Sequence, residues 1–508
     1  MHDAAALSIA VIGGGPTAVA LLESLIHSRD AVDSDVRLDV TVFDPSPHPW
    51  CGQNFAPDRP EAVTNAYTTD MSVRHWEPAH IDAWFEASPN AKFAGCNFAP
   101  RGLVGKYFED SARQAVSRLS AFAFVSEQVT TVRVADNSVR IETKTSSHSF
   151  DHVVLAMWRG EKFDPYRLIG QAKFCAEPYP LAQSLKGIDP DEDIGILGCG
   201  LTAIDLTMAL KADGHRGRIT LLSRRGLLPA VRPSPLKYEL QHFTVANIER
   251  LAADRATISL QDVVDLIFRE LDHAGASRQA LVDELFPTRY GLDRLRRHSN
   301  NEDGQIAYAI AIKMLSPLQD AWYLLNPADK AAAAEFRHIF NSLCCPMSKQ
   351  RAIDMLELAD SGRLNVVRGL QSVTKDSHEH FVATTTDNQS YRFDRMFSAI
   401  SEASEASGVH PMAGSILDGL GKSGDARMHA FSGIDVDRNT SRVLDTYGRP
   451  QSRLYAVGMM TIGAFHVVNG YFLLRRRTGD IADAILKHHR ERHDRRSSHR
   501  AGAAIEPA

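Results

Sequence analysis

The chain has 508 residues, 44% hydrophobic and 23% charged, with a formal net charge of -5 and a pI near 6.5. At ~150 residues per domain this length implies about three domains, and the near-balanced charge gives no reason to expect nucleic acid or an anionic membrane as a partner. Six scattered cysteines (Cys51, Cys96, Cys175, Cys199, Cys344 and Cys345) exclude a disulfide framework and suit a reducing compartment. The opening "MHDAAALSIAV" lacks the basic region of a signal peptide, and no apolar run reaches the ~18 residues of a membrane span. A cytoplasmic protein is expected.

The first predicted element is a buried parallel strand, Ile9 to Ile12, followed by Gly13-Gly14-Gly15-Pro16-Thr17-Ala18 and a helix with Val19, Leu22, Leu25 and Ile26 at helical spacing. Gly13 suits a tight turn, Gly15 a backbone that approaches a pyrophosphate, and Ala18 close packing of helix on strand. Pro16 and Thr17 open a helix whose free N–H groups face the phosphates. The next strand, "RLDVTVFDP", ends in Asp44, 29 residues beyond Gly15, with the polar insert "SRDAVDSDVR" taking up the extra length. A carboxylate there accepts the hydroxyls of an adenosine ribose.

Further along, "DIGILGCGLTAIDL" repeats the pattern: a strand, then Gly198, Gly200, Leu201 and Thr202 at the turn and helix start. The second strand of this unit, "RITLLSRRG", ends in Ser223, Arg224 and Arg225. Two guanidiniums and a hydroxyl suit the 2′-phosphate that an acid would repel. FAD is therefore expected at the first unit and NADPH at the second, an arrangement in which a nicotinamide passes a hydride to a flavin. A solvated strand end is the alternative for the arginines.

Between and after these units lie weaker signals. "FAFVSEQVTTVRVADNSVRIETKT" contains the alternation "VRIETKT" of a half-buried strand. After "LLPAVRPSP" comes a helical insertion, about 236 to 345. Within it, Leu260, Val263, Val264, Ile267, Phe268 and Leu271 line one helix face, with Ser259 as N-cap and Asp262 three residues on. "RLNVVRGL" and "HFVATTTDNQSYRF" return to strands. The expected fold is α/β, with two Rossmann-like dinucleotide-binding domains and a helical insertion. Residues 1–190 form the first part of the FAD domain and 191–390 the NADPH domain with its insert. Residues 391–486 rejoin the FAD domain, and 487–508, a basic polar run, read as a disordered tail.

With "GGGPTAVALLESL", "VFDPSPHPWCGQNF", "PRGLVGKYF", "GCGLTAIDL", "LLSRRGLLP" and "LYAVGMMTIGAF", the chain resembles bacterial FAD/NAD(P)-binding proteins related to flavin-dependent monooxygenases of the N-hydroxylating type. The resemblance implies that Gly52 to Ser72 runs past the flavin, bringing Asn65, Met71 and Ser72, for each of which a loop-cap or core role is the alternative, and that Gly458 lies at the cofactor. The chain departs from the pattern in three places. "HVVLAMWRG" has Ala156-Met157-Trp158 where an Ala-Thr-Gly turn is usual, "MFSAISEASEASG" lacks the second such glycine, and Met459 stands where many relatives have Asp.

No Cys-x-x-Cys, His-Glu-x-x-His or Gly-x-Ser-x-Gly occurs, so a cysteine relay, a metal site of that kind and a serine nucleophile are not expected, and no catalytic side chain is assigned. The resemblance implies a monooxygenase in which NADPH reduces FAD, and a C4a-(hydro)peroxyflavin formed with dioxygen hydroxylates a small polar amine, amino acid or heteroaromatic. Two alternatives remain: an NADPH-dependent flavin reductase or dehydrogenase that does not activate oxygen, and a non-catalytic nucleotide-binding protein. The insert is expected to cover the cleft between the units, with Thr461, His466 and Asn469 of "MTIGAFHVVNGYF" as candidate substrate contacts beneath it.

Overall fold

The structure is a computed structural model that describes residues 6–32, 35–95, 97–157, 163–300, 302–400, 415–468 and 470–503. Its strands run in chain order from β1 (Leu7–Ile12), β2 (Leu38–Phe43) and β3 (Ala121–Val125) to β4 (Thr131–Val134), β5 (Val139–Glu142), β6 (Ser147–Phe150) and β7 (His152–Leu155). Then come β8 (Phe174–Cys175), β9 (Ile194–Leu197), β10 (Ile219–Ser223), β11 (Leu364–Arg368), β12 (Leu370–Lys375), β13 (Phe381–Thr385), β14 (Ser390–Phe393) and β15 (Arg395–Ser398). The last two are β16 (Arg442–Leu444) and β17 (Pro450–Ala456).

Among the described residues these form two larger sheets, β16-β17-β7-β1-β2-β3 and β11-β10-β9-β15-β8, and two antiparallel three-stranded sheets, β4-β5-β6 and β12-β13-β14. The two larger sheets repeat one plan. In each, a central strand pairs in parallel with the strand after the dinucleotide helix on one side, and with a strand that follows the small antiparallel sheet on the other. The central strands are mostly apolar because helices cover both faces of a parallel sheet; every residue of β7 and β9 is buried. The helix Pro16–Val32 is buried along both flanks, with Val19, Leu22, Leu25 and Ile26 fully inside. The last helix, Tyr471–Ala503, lays Ile481, Ala482 and Ile485 into the same core.

The insertion is a run of helices between β10 and β11, beginning with Val245–Ala252 and ending with Arg337–Cys344, around its own apolar core. Its helix Leu260–His273 carries the full capping box, Ser259 accepting from Asp262 and returning the bond at its own N–H. Glu270 on that helix is fully buried, because its carboxylate accepts the backbone amides of Gln241, His242 and Phe243 (3.0, 2.7 and 2.6 Å) and the Tyr238 hydroxyl. The chain entering the insertion is stapled there.

Three expectations are corrected. The second unit starts before residue 191, since β8 pairs with β15 in its sheet, and it ends after residue 390, since β15 is its fourth strand. Two-residue and four-residue strands carry too little periodicity to mark a boundary. Residues 487–503 are helical rather than disordered, continuing Tyr471–Ala503. Between Gly479 and Gly502 the chain has neither Gly nor Pro, and the packed half of the helix removes the cost of nucleating the rest.

The two units are joined by charge. Arg101, at the start of helix Arg101–Val116, forms an ion pair with Asp205 on the second dinucleotide helix, Leu201–Ala212, and both meet Tyr179, whose hydroxyl lies 2.6 Å from each. Burial pushes the Asp205 carboxyl up, while Arg101 and Tyr179 pull it back. Asp58 accepts the amides of Leu181 and Ala182 (2.8 and 3.0 Å), and Arg59 makes a bidentate pair with Asp213 (2.6 and 2.7 Å). Asp205→Ala would strand the Arg101 guanidinium, so unfolding in denaturant should show a loss of about 3–5 kcal/mol. Asp213→Ala, at the exposed pair, should cost about 1 kcal/mol or less.

Candidate functional site

The ends of the parallel strands bring the glycine loops and their neighbours to one edge in each unit. In the first, Gly13 follows β1 with φ +107, and a Cβ on it would stand 2.6 Å from the carbonyl oxygen of Ala156, just past β7. In the second, Gly198 follows β9 with φ +111, and a Cβ would stand 2.5 Å from the carbonyl oxygen of Ala399, just past β15. These first glycines are required by the fold itself.

The second glycine of each loop is different. A Cβ on Gly15 would meet nothing nearer than Gly52 Cα at 3.9 Å, and one on Gly200 would meet nothing within 4 Å. Gly200 has φ -81, which any residue adopts. Neither neighbouring atoms nor backbone conformation demands glycine at Gly200, which is the signature of a cradle kept clear for a ligand's phosphates. The residues present fit two dinucleotides.

At the end of β2, Asp44 turns back on its own loop, Oδ2 accepting from Gly14 N at 2.5 Å and Oδ1 from Ser46 N at 2.7 Å. Each oxygen keeps acceptor capacity for a ribose hydroxyl. Trp50, unmarked by any sequence motif, donates its backbone N–H to Gly14 O (2.6 Å) from a left-handed φ of +72 and packs on Phe122 and Phe124. Bulky residues hold that conformation only where surroundings impose it. Gly458 follows β17 with φ +77, beside Leu155, which accepts the Val457 N–H at 3.0 Å. Met459 is half-buried against the core of this unit. Trp158 and residues 401–414 lie outside the described residues.

Asn65 is half-buried, in the stretch that seats against the second unit through Tyr67 Oη to Pro233 O (2.9 Å) and Asp70 to Arg232 (2.6 Å). Met71 and Ser72 are buried. Met71 sits in the core with Val19, Val104 and Tyr107, and the buried Ser72 hydroxyl donates to Glu77 O at 2.8 Å.

In the second unit, Leu201 and Thr202 begin the helix Leu201–Ala212. Ser223 Oγ accepts the Gly226 N–H at 2.8 Å and the Cys199 thiol at 3.3 Å, so it shapes the arginine turn. Arg224 and Arg225 are exposed at that edge.

The insert docks on the segment that follows Gly458. Trp322 Nε1 donates to Gly463 O (2.9 Å) and Gln319 Nε2 to Val467 O (2.6 Å). The buried carboxylate of Asp320, between them, takes Arg438 at 3.0 Å and Arg476 at 2.9 Å. Thr461 is buried with its hydroxyl on Gly458 O (2.9 Å). His466, at φ +61, lies stacked on Trp322 (ring centroids 4.1 Å) and beside Phe340 (5.0 Å), with a buried Nδ1 that has no partner among the described residues. Burial and the nearby Arg337 charge push its pKa down to about 3. Asn469 lies outside the described residues.

Residues 10–158 match the family model described as FAD-NAD(P)-binding, so the chain carries a domain of that kind. A search of curated proteins finds no match. Solved structures of similar fold include L-lysine 6-monooxygenase from Pseudomonas syringae (TM-score 0.59, 13% identity, 94% of this chain and 99% of that one). Another is the reduced form of ornithine hydroxylase from Pseudomonas aeruginosa (TM-score 0.57, 11% identity, 95% and 100%). A third is the Kutzneria sp. 744 ornithine N-hydroxylase with reduced FAD, NADP+ and L-orn (TM-score 0.56, 14% identity, 95% and 99%). At these identities the likeness is one of fold.

Two outcomes follow from this geometry. Gly198→Ala should destabilise the protein by about 2 kcal/mol or more, because the methyl meets backbone. Gly200→Ser, which improves the helix cap, should leave the thermal midpoint unchanged while dinucleotide binding, measured by calorimetry, is lost. For His466, a folded pKa near 3 against an ordinary value near 6.5 means that its contribution is fully present above pH 6.5 and is lost as pH falls toward 3. Replacing it by Asn, which tolerates the left-handed backbone, should flatten the stability–pH profile in that window by about 1 kcal/mol per pH unit.

Proposed function

We propose that the protein is an FAD-dependent, NADPH-using oxidoreductase, a monooxygenase hydroxylating a small polar substrate: an amine, an amino acid or a heteroaromatic. The observation that carries this reading is the contrast between two copies of one plan: the same glycine cradle ends in a carboxylate, Asp44, in the first unit and in Ser223, Arg224 and Arg225 in the second. A ribose hydroxyl wants an acceptor and a ribose phosphate wants cations. Two dinucleotides whose adenosine riboses differ in that group are the ligands these edges would distinguish.

When bound, FAD supplies acceptance of a hydride and reaction with dioxygen. The chain's own part is binding, orientation and exclusion of water. Gly15, Pro16 and Thr17 with the helix N-terminus receive the first pyrophosphate, and Gly200, Leu201 and Thr202 the second. The insert, seated over Gly463 and Val467, closes the C-terminal segment of the first unit from solvent. His466 stays uncharged at neutral pH, so it offers a substrate one hydrogen bond and no charge. The substrate class draws on the similar folds, which act on lysine and ornithine.

The test is spectroscopic. Purified protein should be yellow, bleached by NADPH and recoloured by air, and product should carry an atom from labelled dioxygen. Bleaching with no labelled product would replace the monooxygenase by a reductase, and a colourless protein would end the flavin reading. Arg224→Gln with Arg225→Gln should weaken NADPH by about tenfold or more and leave NADH nearly unchanged.

A further inference from the structure

The turn that carries Arg224 and Arg225 is held from two sides. Arg224 O accepts the N–H of Gly369, just past β11, at 3.1 Å. Gly226 O accepts the N–H of Gly291, at 2.8 Å, and Gly291 begins the insert helix Gly291–Asn300. The φ of Gly291 is +54, and a Cβ on it would stand 3.4 Å from Val366 on β11. The arginine turn is thus wedged between a neighbouring strand and the insert.

That neighbouring strand brings a third guanidinium to the same edge. β10 and β11 run parallel with Ser223 beside Arg368 in register. Parallel strands in register release their last residues on the same side of the sheet, so Arg368 leaves the sheet level with the arginine turn. Its Cβ stands 3.0 Å from where a Cβ on Gly226 would lie, which sets its stem against the turn. Its guanidinium lies 4.0 Å from the ring centre of Tyr290, the residue before Gly291. Among the described residues that guanidinium meets no carboxylate, and the side chain is exposed. A guanidinium held over a ring face keeps N–H donors free for an anion.

We propose that Arg368, positioned by Tyr290 of the insert, is a third cationic residue of the adenosine 2′-phosphate site, so that the insert takes part in coenzyme selection. This rests on the reading of Arg224 and Arg225 as that site. A phosphate dianion presents three acceptor oxygens, and a cluster drawn from two adjacent strand ends surrounds it where one strand end alone reaches a single side. The tyrosine supplies orientation and touches no coenzyme atom. It is a positioning residue.

The experiment is calorimetric titration of the purified full-length protein with NADP+, NAD+, adenosine 2′,5′-bisphosphate and 5′-AMP. Arg368→Gln is expected to weaken the two 2′-phosphorylated ligands about tenfold and to leave the other two within about twofold. Tyr290→Leu should weaken the same pair by about threefold, with Tyr290→Phe restoring them, because the ring face is what holds the guanidinium. Equal weakening of all four ligands, or of none, with Arg368→Gln would overturn the proposal. The underlying reading fails separately: unsubstituted protein that binds NADP+ no better than NAD+ would remove the phosphate site altogether. Loss of preference with Arg224→Gln but not with Arg368→Gln would remove Arg368 alone. Arg368 is exposed, so its variant is expected to fold, and a circular dichroism melt matching the parent confirms it.

Discussion

Two contacts leave no room for a side chain: the α-carbon of Gly13 against the carbonyl of Ala156, and that of Gly198 against the carbonyl of Ala399. Each presses the first turn of a dinucleotide loop onto the end of the adjacent strand, so loop, strand end and helix start share one edge. Everything placed at that edge inherits its position from these contacts, including Asp44, Gly458, Arg224 and Arg368. At the end of β7 the fold uses the carbonyl of Ala156, and Met157 packs half-buried against the core.

The second constraint couples the units. Asp320 belongs to the insert of the second unit, and Arg438 and Arg476 to the C-terminal part of the first. A carboxylate that is 1% exposed is tolerable only with such partners, and they come from the other unit. Arg101 and Asp205 repeat that direction, cation from the first unit and acid from the second, whereas Arg232 and Asp70 reverse it. The units are thus held by charge pairs at several separate places, an arrangement that fixes orientation more sharply than an apolar contact, since charge pairs have direction.

How much of this was legible in the sequence depended on range. The glycine loops, Asp44 and the Ser223-Arg224-Arg225 strand end were readable because strand, turn and helix lie within a few tens of residues and each leaves a local period. Ser259 and Asp262 were readable for the same reason. Glu270 was not: on a helix wheel it belongs to the polar side, and only the incoming chain at Gln241 to Phe243 gives its carboxylate a buried partner. Met71 and Ser72 could be read either way, because residues near a cofactor and residues beneath it share the same composition. Arg368 was visible as the end of a strand, but its neighbour Ser223 is set by register across 145 positions of chain, which no local pattern encodes. The helix beyond residue 487 was hidden by polarity, although it contains nothing that breaks a helix.

The last helix closes the first unit. Tyr471 at its start donates its hydroxyl to the carbonyl of Pro16 at 3.0 Å, and Ile481, Ala482 and Ile485 complete the core beneath β1. During synthesis the ribosome releases β1 first, yet its sheet lacks β17 and the helix Pro16–Val32, packed on Arg101–Val116, lacks its second helix partner until the final stretch emerges. The second unit has all its strands once Ser398 has been made. Domains ordinarily fold from the N-terminus onward as they appear. In this chain the order is reversed: the unit that opens the polypeptide must wait, with apolar helix and strand uncovered, for the unit threaded through it to finish. Nascent chains stalled just beyond Ser398 are then the ones in greatest need of a chaperone.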